Sequence, residues 1–202
     1  LAIDFADAER GLAVGNFATA LRTPDGGATW TPIRVAPEGE DPSLNGVAWV
    51  SATEAVVVGE FGMAWRTGDG GATWEAVSTG AGDSLFGVEA LPGGAVLAVG
   101  AGGGVAVSTD GGRTFAAVES GTTKHLFRAF ASGSRVLIGG SGGVLLSADA
   151  PGGPYSTWVA PTYFWLQGGQ VAGDGNGWLV GARSLVLRTT DGGRTWKRWG
   201  DK

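Results

Sequence analysis

The chain has no cysteine, one histidine (His125) and one methionine among its 202 residues. Absence of cysteine excludes disulfides, thiolate zinc sites and cysteine nucleophiles, and a lone histidine builds no histidine-rich metal centre. No cofactor and no metal are expected. Nowhere do 18 or more apolar residues follow one another, so the chain carries no apolar stretch long enough for a membrane-spanning helix. The first residues also lack the charged and apolar regions of a signal peptide. Charged residues make up only 16%, the net charge is -5, and there is no basic run, which argues against a nucleic-acid partner. Sustained helical periodicity is missing as well.

Glycine is abundant instead, 39 residues in all, spaced regularly between short apolar runs as turns would be. One phrase recurs with it: TPDGGATW around Asp25, TGDGGATW around Asp69, STDGGRTF around Asp110 and TTDGGRTW around Asp191. A fifth copy, SADAPGGPYSTW around Asp149, is interrupted by an insertion containing Pro151 and Pro154. Successive aspartates are 44, 41, 39 and 42 residues apart, a period that marks a repeated supersecondary unit. The units span about 1–35, 36–79, 80–120, 121–161 and 162–202.

Each unit holds four short β-type runs. The first is clearest in LNGVAWV, LFGVEAL and LFRAFA; the second ends at Gly15, Gly59, Gly100, Gly140 or Gly181; the third leads into the aspartate phrase, and its closing aromatic opens the fourth. Four strands per period of about 42 residues predict an all-β fold, a β-propeller of four-stranded blades whose faces are buried by radial stacking. The first unit looks cut, because the equivalent of Leu44 would precede Leu1. Five repeats make either a five-bladed ring or part of a larger one, for example seven-bladed.

In a hairpin between strands three and four, the aspartate accepts hydrogen bonds from its own turn and the glycines supply positive φ. Structural tasks are accordingly assigned to Asp25 with Trp30, Asp69 with Trp74, Asp110 with Phe115, Asp149 with Trp158, and Asp191 with Trp196. A phosphate loop would need a following helix and a lysine, and a calcium loop more oxygen ligands than two glycines leave room for.

The phrase S/T-x-D-G-G-x-T-W/F matches the Asp-box, or BNR repeat. Combined with GLAVG and the preceding DFADAERG (4–11), it resembles the photosystem II assembly and stability factor family and its bacterial relatives. That resemblance implies a non-enzymatic propeller, commonly seven-bladed, outside the cytoplasm (periplasm, lumen or secreted). Its implied partner is a membrane protein complex or an intermediate of its assembly. Asp-boxes also occur in sialidases and other glycoside hydrolases, so a carbohydrate-active or sugar-binding propeller is the alternative.

For that alternative the suspects are Asp4 and Glu89, at matching positions on the first strands of units one and three; two carboxylates suffice for glycoside hydrolysis. Arg22, Arg66 and Arg188 resemble a carboxylate-gripping trio, yet each stands three residues before its Asp-box, so they are expected on separate blades. For protein binding, topology points to the face carrying the turns after the second strands and the connections between blades. Asn16, Phe17, Glu60, Phe61, Lys124, His125, Tyr163, Phe164, Trp165, Arg183 and the acidic loop PEGEDP (37–42) are expected there. Aromatics mixed with charge suit an interface.

Overall fold

A computed structural model describes residues 1–160 and 163–200; the expected unit boundary between 161 and 162 lies outside them. Among the described residues, twenty strands form five four-stranded antiparallel meanders. The first contains β1 (Ala2–Phe5), β2 (Gly11–Val14), β3 (Ala20–Thr23) and β4 (Thr31–Pro32). The second contains β5 (Leu44–Trp49), β6 (Ala55–Gly59), β7 (Met63–Thr67) and β8 (Glu75–Ser78). In the third are β9 (Leu85–Ala90), β10 (Val96–Gly100), β11 (Val105–Ser108) and β12 (Ala116–Ala117). β13 (Leu126–Ser132), β14 (Arg135–Gly140), β15 (Val144–Ala148) and β16 (Ser156–Val159) form the fourth, and β17 (Leu166–Val171), β18 (Gly177–Gly181), β19 (Leu185–Thr189) and β20 (Lys197–Arg198) the fifth.

Blades stack because their middle strands are apolar on both faces, and alternation assigns each residue to one neighbour. On β6, Ala55 and Val57 join the cluster shared with the first blade, whereas Val56 and Val58 join the cluster shared with the third. Four such clusters fill the four junctions between consecutive blades. The first strands touch in the order β1, β5, β9, β13, β17, and among the described residues no comparable contact joins β17 back to β1. The blades therefore form an open propeller arc and not a closed five-membered ring. Its two end faces are apolar and uncovered: Leu1 and Ile3 lie exposed on the first blade, and Trp178, Val180 and Trp199 on the fifth.

The Asp-boxes close the hairpins between third and fourth strands. Asp69 shows the pattern: Oδ1 accepts the Thr67 hydroxyl at 2.8 Å and the Thr73 backbone N–H at 2.9 Å, while Oδ2 accepts the Thr73 hydroxyl at 2.7 Å. The Thr67 oxygen in turn accepts the Gly71 N–H at 2.9 Å. Asp25, Asp110 and Asp191 repeat the arrangement, with Ser108 replacing the first threonine in the third blade. These donors, the threonine hydroxyl four residues on above all, hold the four carboxyls below the usual carboxylate range. Glycine is required by conformation and by space: Gly112 has φ +84, and a Cβ there would lie 2.4 Å from Val56 Cγ2 of the preceding blade.

The closing aromatics pack as side walls. Trp196 is buried, Phe115, Trp74 and Trp158 are partly buried against their junctions, and Trp30 meets Phe5 edge-on at 6.2 Å. In the interrupted fourth copy the lock is missing. Asp149 is exposed and receives Arg135 Nε at 3.3 Å instead of its own turn, so the structural task assigned to it does not extend to this copy.

Asp110→Ala is expected to lower the melting midpoint by roughly 3–8 °C, and Asp149→Ala to leave it within about 1 °C. Because the folded pKa values are depressed, the boxes stabilise fully above about pH 4, and that contribution is lost as pH falls further. Melting curves against pH should therefore fall less steeply on the acid side in Asp110→Ala.

Candidate functional site

Turn geometry assigns the two faces of the arc different work. Box residues bond to the loops between first and second strands, as Gly26 N–H does to Glu9 O and Gly192 N–H to Gly175 O, each in its own blade. On the opposite face, the turn after the second strand of blades two to five bonds to the segment entering the first strand: Glu60 N–H to Ser43 O, Ala101 N–H to Ser84 O, Ser141 N–H to His125 O and Ala182 N–H to Trp165 O. The Asp-box face is thus consumed by hairpin closure, and the turn face is where the blades differ.

Two residues after the closing glycine of the second strand, every turn passes through the left-handed region. The residues there are Phe17 (φ 55), Phe61 (φ 59), Gly102 (φ 59), Gly142 (φ 65) and Arg183 (φ 55). Glycine adopts this conformation freely, whereas an L side chain costs about 1–2 kcal/mol. Phe17 and Phe61 nevertheless occupy it, and the two residues are 82% and 79% exposed. Little of either side chain is packed against the blades, so burial offsets little of the strain.

A second feature lies nearer the axis. Ladder registers slip by one residue at the start of β5, β9, β13 and β17, leaving Asn45, Phe86, Phe127 and Gln167 as unpaired extra residues. Phe86 and Phe127 stand 5.9 Å apart, Phe127 and Trp165 5.5 Å, and His125 meets Phe86 edge-on at 6.2 Å. An aromatic row thus crosses three blades at the entrances to their first strands. Arg183 stacks over Phe164 at 4.9 Å, extending the surface with a cation. His125 Nδ1 accepts the Gly102 N–H at 3.2 Å, which fixes the imidazole between the third and fourth blades.

Among the expected interface residues, His125 and Trp165 come together in this row, and Phe164 pairs with Arg183. Lys124 and Tyr163 are exposed on the turns of the same blades, Asn16 and Phe17 are exposed on the first blade, and Glu60 and Phe61 line a cleft beside the 37–42 loop. Phe86 and Phe127 were not anticipated. Their signal is the repeated Leu-Phe that opens β9 and β13, where the aromatic occupies the bulge and drops out of the alternation.

The carbohydrate suspects are placed differently. Asp4 Oδ1 accepts the Phe5 N–H at 2.9 Å and Oδ2 accepts the Trp49 N–H at 2.7 Å, so the carboxylate bridges the first two blades. Glu89 is half-buried; burial pushes its carboxyl up to about 7 against the opposing pull of Arg128, with a smaller push from Asp4. The arginines do not converge. Arg22 Nη1 donates to Gly70 O at 3.4 Å, Arg66 Nε to Gly111 O at 3.1 Å, and Arg188 stacks on Trp178 and Trp199 at the open end.

Radially stacked meanders locked by aspartate hairpins on one face define an Asp-box β-propeller. The chain belongs to the family of the photosynthesis system II assembly factor YCF48, whose model matches residues 1–168, as the Asp-box resemblance implied. Among solved structures it is similar to YCF48 bound to D1 peptide, with a TM-score of 0.72 at 22% identity over 100% of this chain and 82% of that one. It is also similar to YCF48 from Cyanidioschyzon merolae, with 0.53 at 18% identity over 98% and 84%. Similarity extends to the GH74 xyloglucanase from Xanthomonas campestris, with 0.66 at 16% identity over 98% and 37%. At these identities the structural likeness concerns the fold. No curated protein matches the chain.

Glu89→Gln tests the buried acid. A carboxyl raised in the folded state stabilises fully below its unfolded pKa near 4.5, and that contribution is lost as pH rises towards 7. The variant should therefore melt higher than the parent at pH 8 and no higher at pH 4.5.

Proposed function

We propose that the protein is a non-enzymatic docking module that binds a subunit of a membrane protein complex during assembly, outside the cytoplasm, through the turn face of the arc. The observation that carries this reading is the pair of exposed phenylalanines held in left-handed backbone at Phe17 and Phe61. Large apolar residues kept in a costly conformation while largely exposed point to selection for an external contact. The aromatic row of Phe86, Phe127 and Trp165 adds rigid contact area of the kind that dominates protein interfaces.

Family membership supports the assembly role, and a structural relative is described as bound to D1 peptide. A carbohydrate-active reading has the fold in common with a xyloglucanase and one acid that titrates near neutrality. Against it, both Asp4 oxygens accept backbone N–H groups, leaving Glu89 without a free carboxylate partner at the matching position.

The double substitution Phe17→Gly with Phe61→Gly separates interface from scaffold. Its melting midpoint should equal or exceed that of the parent, because glycine relieves the strain, while capture of a membrane subunit from solubilised host membranes should fall by about tenfold or more. Unchanged capture would contradict the proposal, as would xyloglucan hydrolysis that disappears in Glu89→Gln.

A further inference from the structure

The outward face of the fifth blade is built differently from the faces that stack. Leu179 and Leu187 turn inward, to the junction with the fourth blade, so their neighbours on β18 and β19 turn outward. Two cross-strand rows result. Trp178, Arg188 and Lys197 stand in register across β18, β19 and β20. Val180 pairs with Val186 beside Trp199, whose N–H donates to Val186 O. The Trp178 and Trp199 rings meet edge-on at 4.9 Å with the Arg188 guanidinium over both. A cleft of about 610 Å³ lies between Arg188, Lys197, Arg198 and Trp199, with Thr190 and Thr195 in its wall.

Size argues against another blade on this face. Leu12, Val56 and Leu137 hold the place of Trp178 in the first, second and fourth blades, three residues before the closing glycine of the second strand. Each lies against a box glycine of the next blade. A Cβ on Gly71 would come within 3.7 Å of Leu12, on Gly112 within 2.4 Å of Val56 and on Gly193 within 2.6 Å of Leu137. An indole in that place leaves no room for such a glycine.

Charge is a second, independent observation. In the second blade the ladder partner of Arg66 is Glu75, whereas in the fifth the ladder partner of Arg188 is Lys197. Like charges directly opposite one another destabilise a sheet. Among the described residues, Arg188, Lys197 and Arg198 have no carboxylate within ion-pair distance. On a chain of net charge -5, three uncompensated cations thus gather around exposed tryptophans.

We propose that this face rests on the surface of an anionic lipid bilayer. Trp178, Val180 and Trp199 would enter the headgroup boundary, which suits tryptophan because its ring is apolar and its N–H polar. Arg188, Lys197 and Arg198 would pair with lipid phosphates, the cleft between them admitting a headgroup. The sheet faces of a propeller stand roughly at right angles to its turn face. A chain lying on the bilayer this way presents Phe86, Phe127 and Trp165 sideways, towards a protein embedded in the same membrane. Contact with lipid does not itself depend on the docking reading.

Co-sedimentation of the whole chain with vesicles tests the contact. Vesicles of phosphatidylcholine and phosphatidylglycerol in equal parts should bind about tenfold or more tightly than vesicles of phosphatidylcholine alone, and less so as sodium chloride is added. Lys197→Glu restores the pairing that Arg66 has with Glu75. Its melting midpoint should therefore equal or exceed that of the parent, while binding to the anionic vesicles should fall by about tenfold or more. Trp199→Ser should weaken binding as well. Inorganic phosphate should displace no more chain than sodium chloride of the same ionic strength.

The inference is overturned if the two kinds of vesicle bind alike or not at all, if Lys197→Glu binds as the parent does, or if inorganic phosphate displaces the chain specifically. It is overturned equally if Trp199→Ser dissolves a self-associated form of the chain that vesicles leave intact, since a second copy would then cover the face. Phe17→Gly with Phe61→Gly should leave vesicle binding unchanged, so failure of this contact and failure of the docking reading are told apart.

Discussion

The constraint from which the rest of the structure follows is the hydrogen-bonded ring that each intact Asp-box closes. One carboxylate takes a hydroxyl from the strand before it and both a backbone N–H and a hydroxyl from the threonine four residues on, so a glycine-rich turn acquires a single geometry. The locked hairpin then reaches sideways. Gly112 presses on Val56 of the preceding blade, and Arg66 crosses the same junction to bond Gly111 O. Glu54 pairs with both Arg66 and Arg113 there, so a partly buried charge cluster ties the second blade to the third. Local closure and blade stacking are thus one device, which is why the boxes recur at the period of the blade.

Committing one face to closure leaves the other free to vary. All five turns need the same left-handed residue, and glycine in the third and fourth blades shows how the requirement is met without side-chain strain. Phenylalanine in the first two blades and arginine in the fifth keep the fold while changing the surface. The bulges do similar work closer to the axis, where the one unpaired residue in each of blades two to five is Asn45, which ties its blade to Leu85 O, an aromatic with no ladder role (Phe86 or Phe127), or Gln167. The scaffold is uniform and the contact surface is individual.

The repeat, the four-stranded unit and the separation of faces were legible in the sequence, because spacing and turn chemistry are local properties. Arg22, Arg66 and Arg188 were correctly read as non-convergent for the same reason. What escaped depends on register or on neighbours across a junction. Phe86 and Phe127 belong to strands whose alternation hides them, and only the slipped ladder shows them side by side. The question of a ring or an arc turned on whether Ile3 and Val180 are covered, which no single unit records. The interrupted fourth box kept the letters of the motif at Asp149 and lost the box bonds, since the insertion moves the donating threonine, Thr157, away from the four-residue spacing.

The central claim is that partners meet the turn face and not the Asp-box face. Site-specific photo-crosslinking from position 127, in place of Phe127, and from position 28, in place of the exposed Ala28 on the box face, tests it within native membranes. The account predicts adducts with a membrane-complex subunit from position 127 and none from position 28. Adducts confined to position 28, or equal from both, would contradict it.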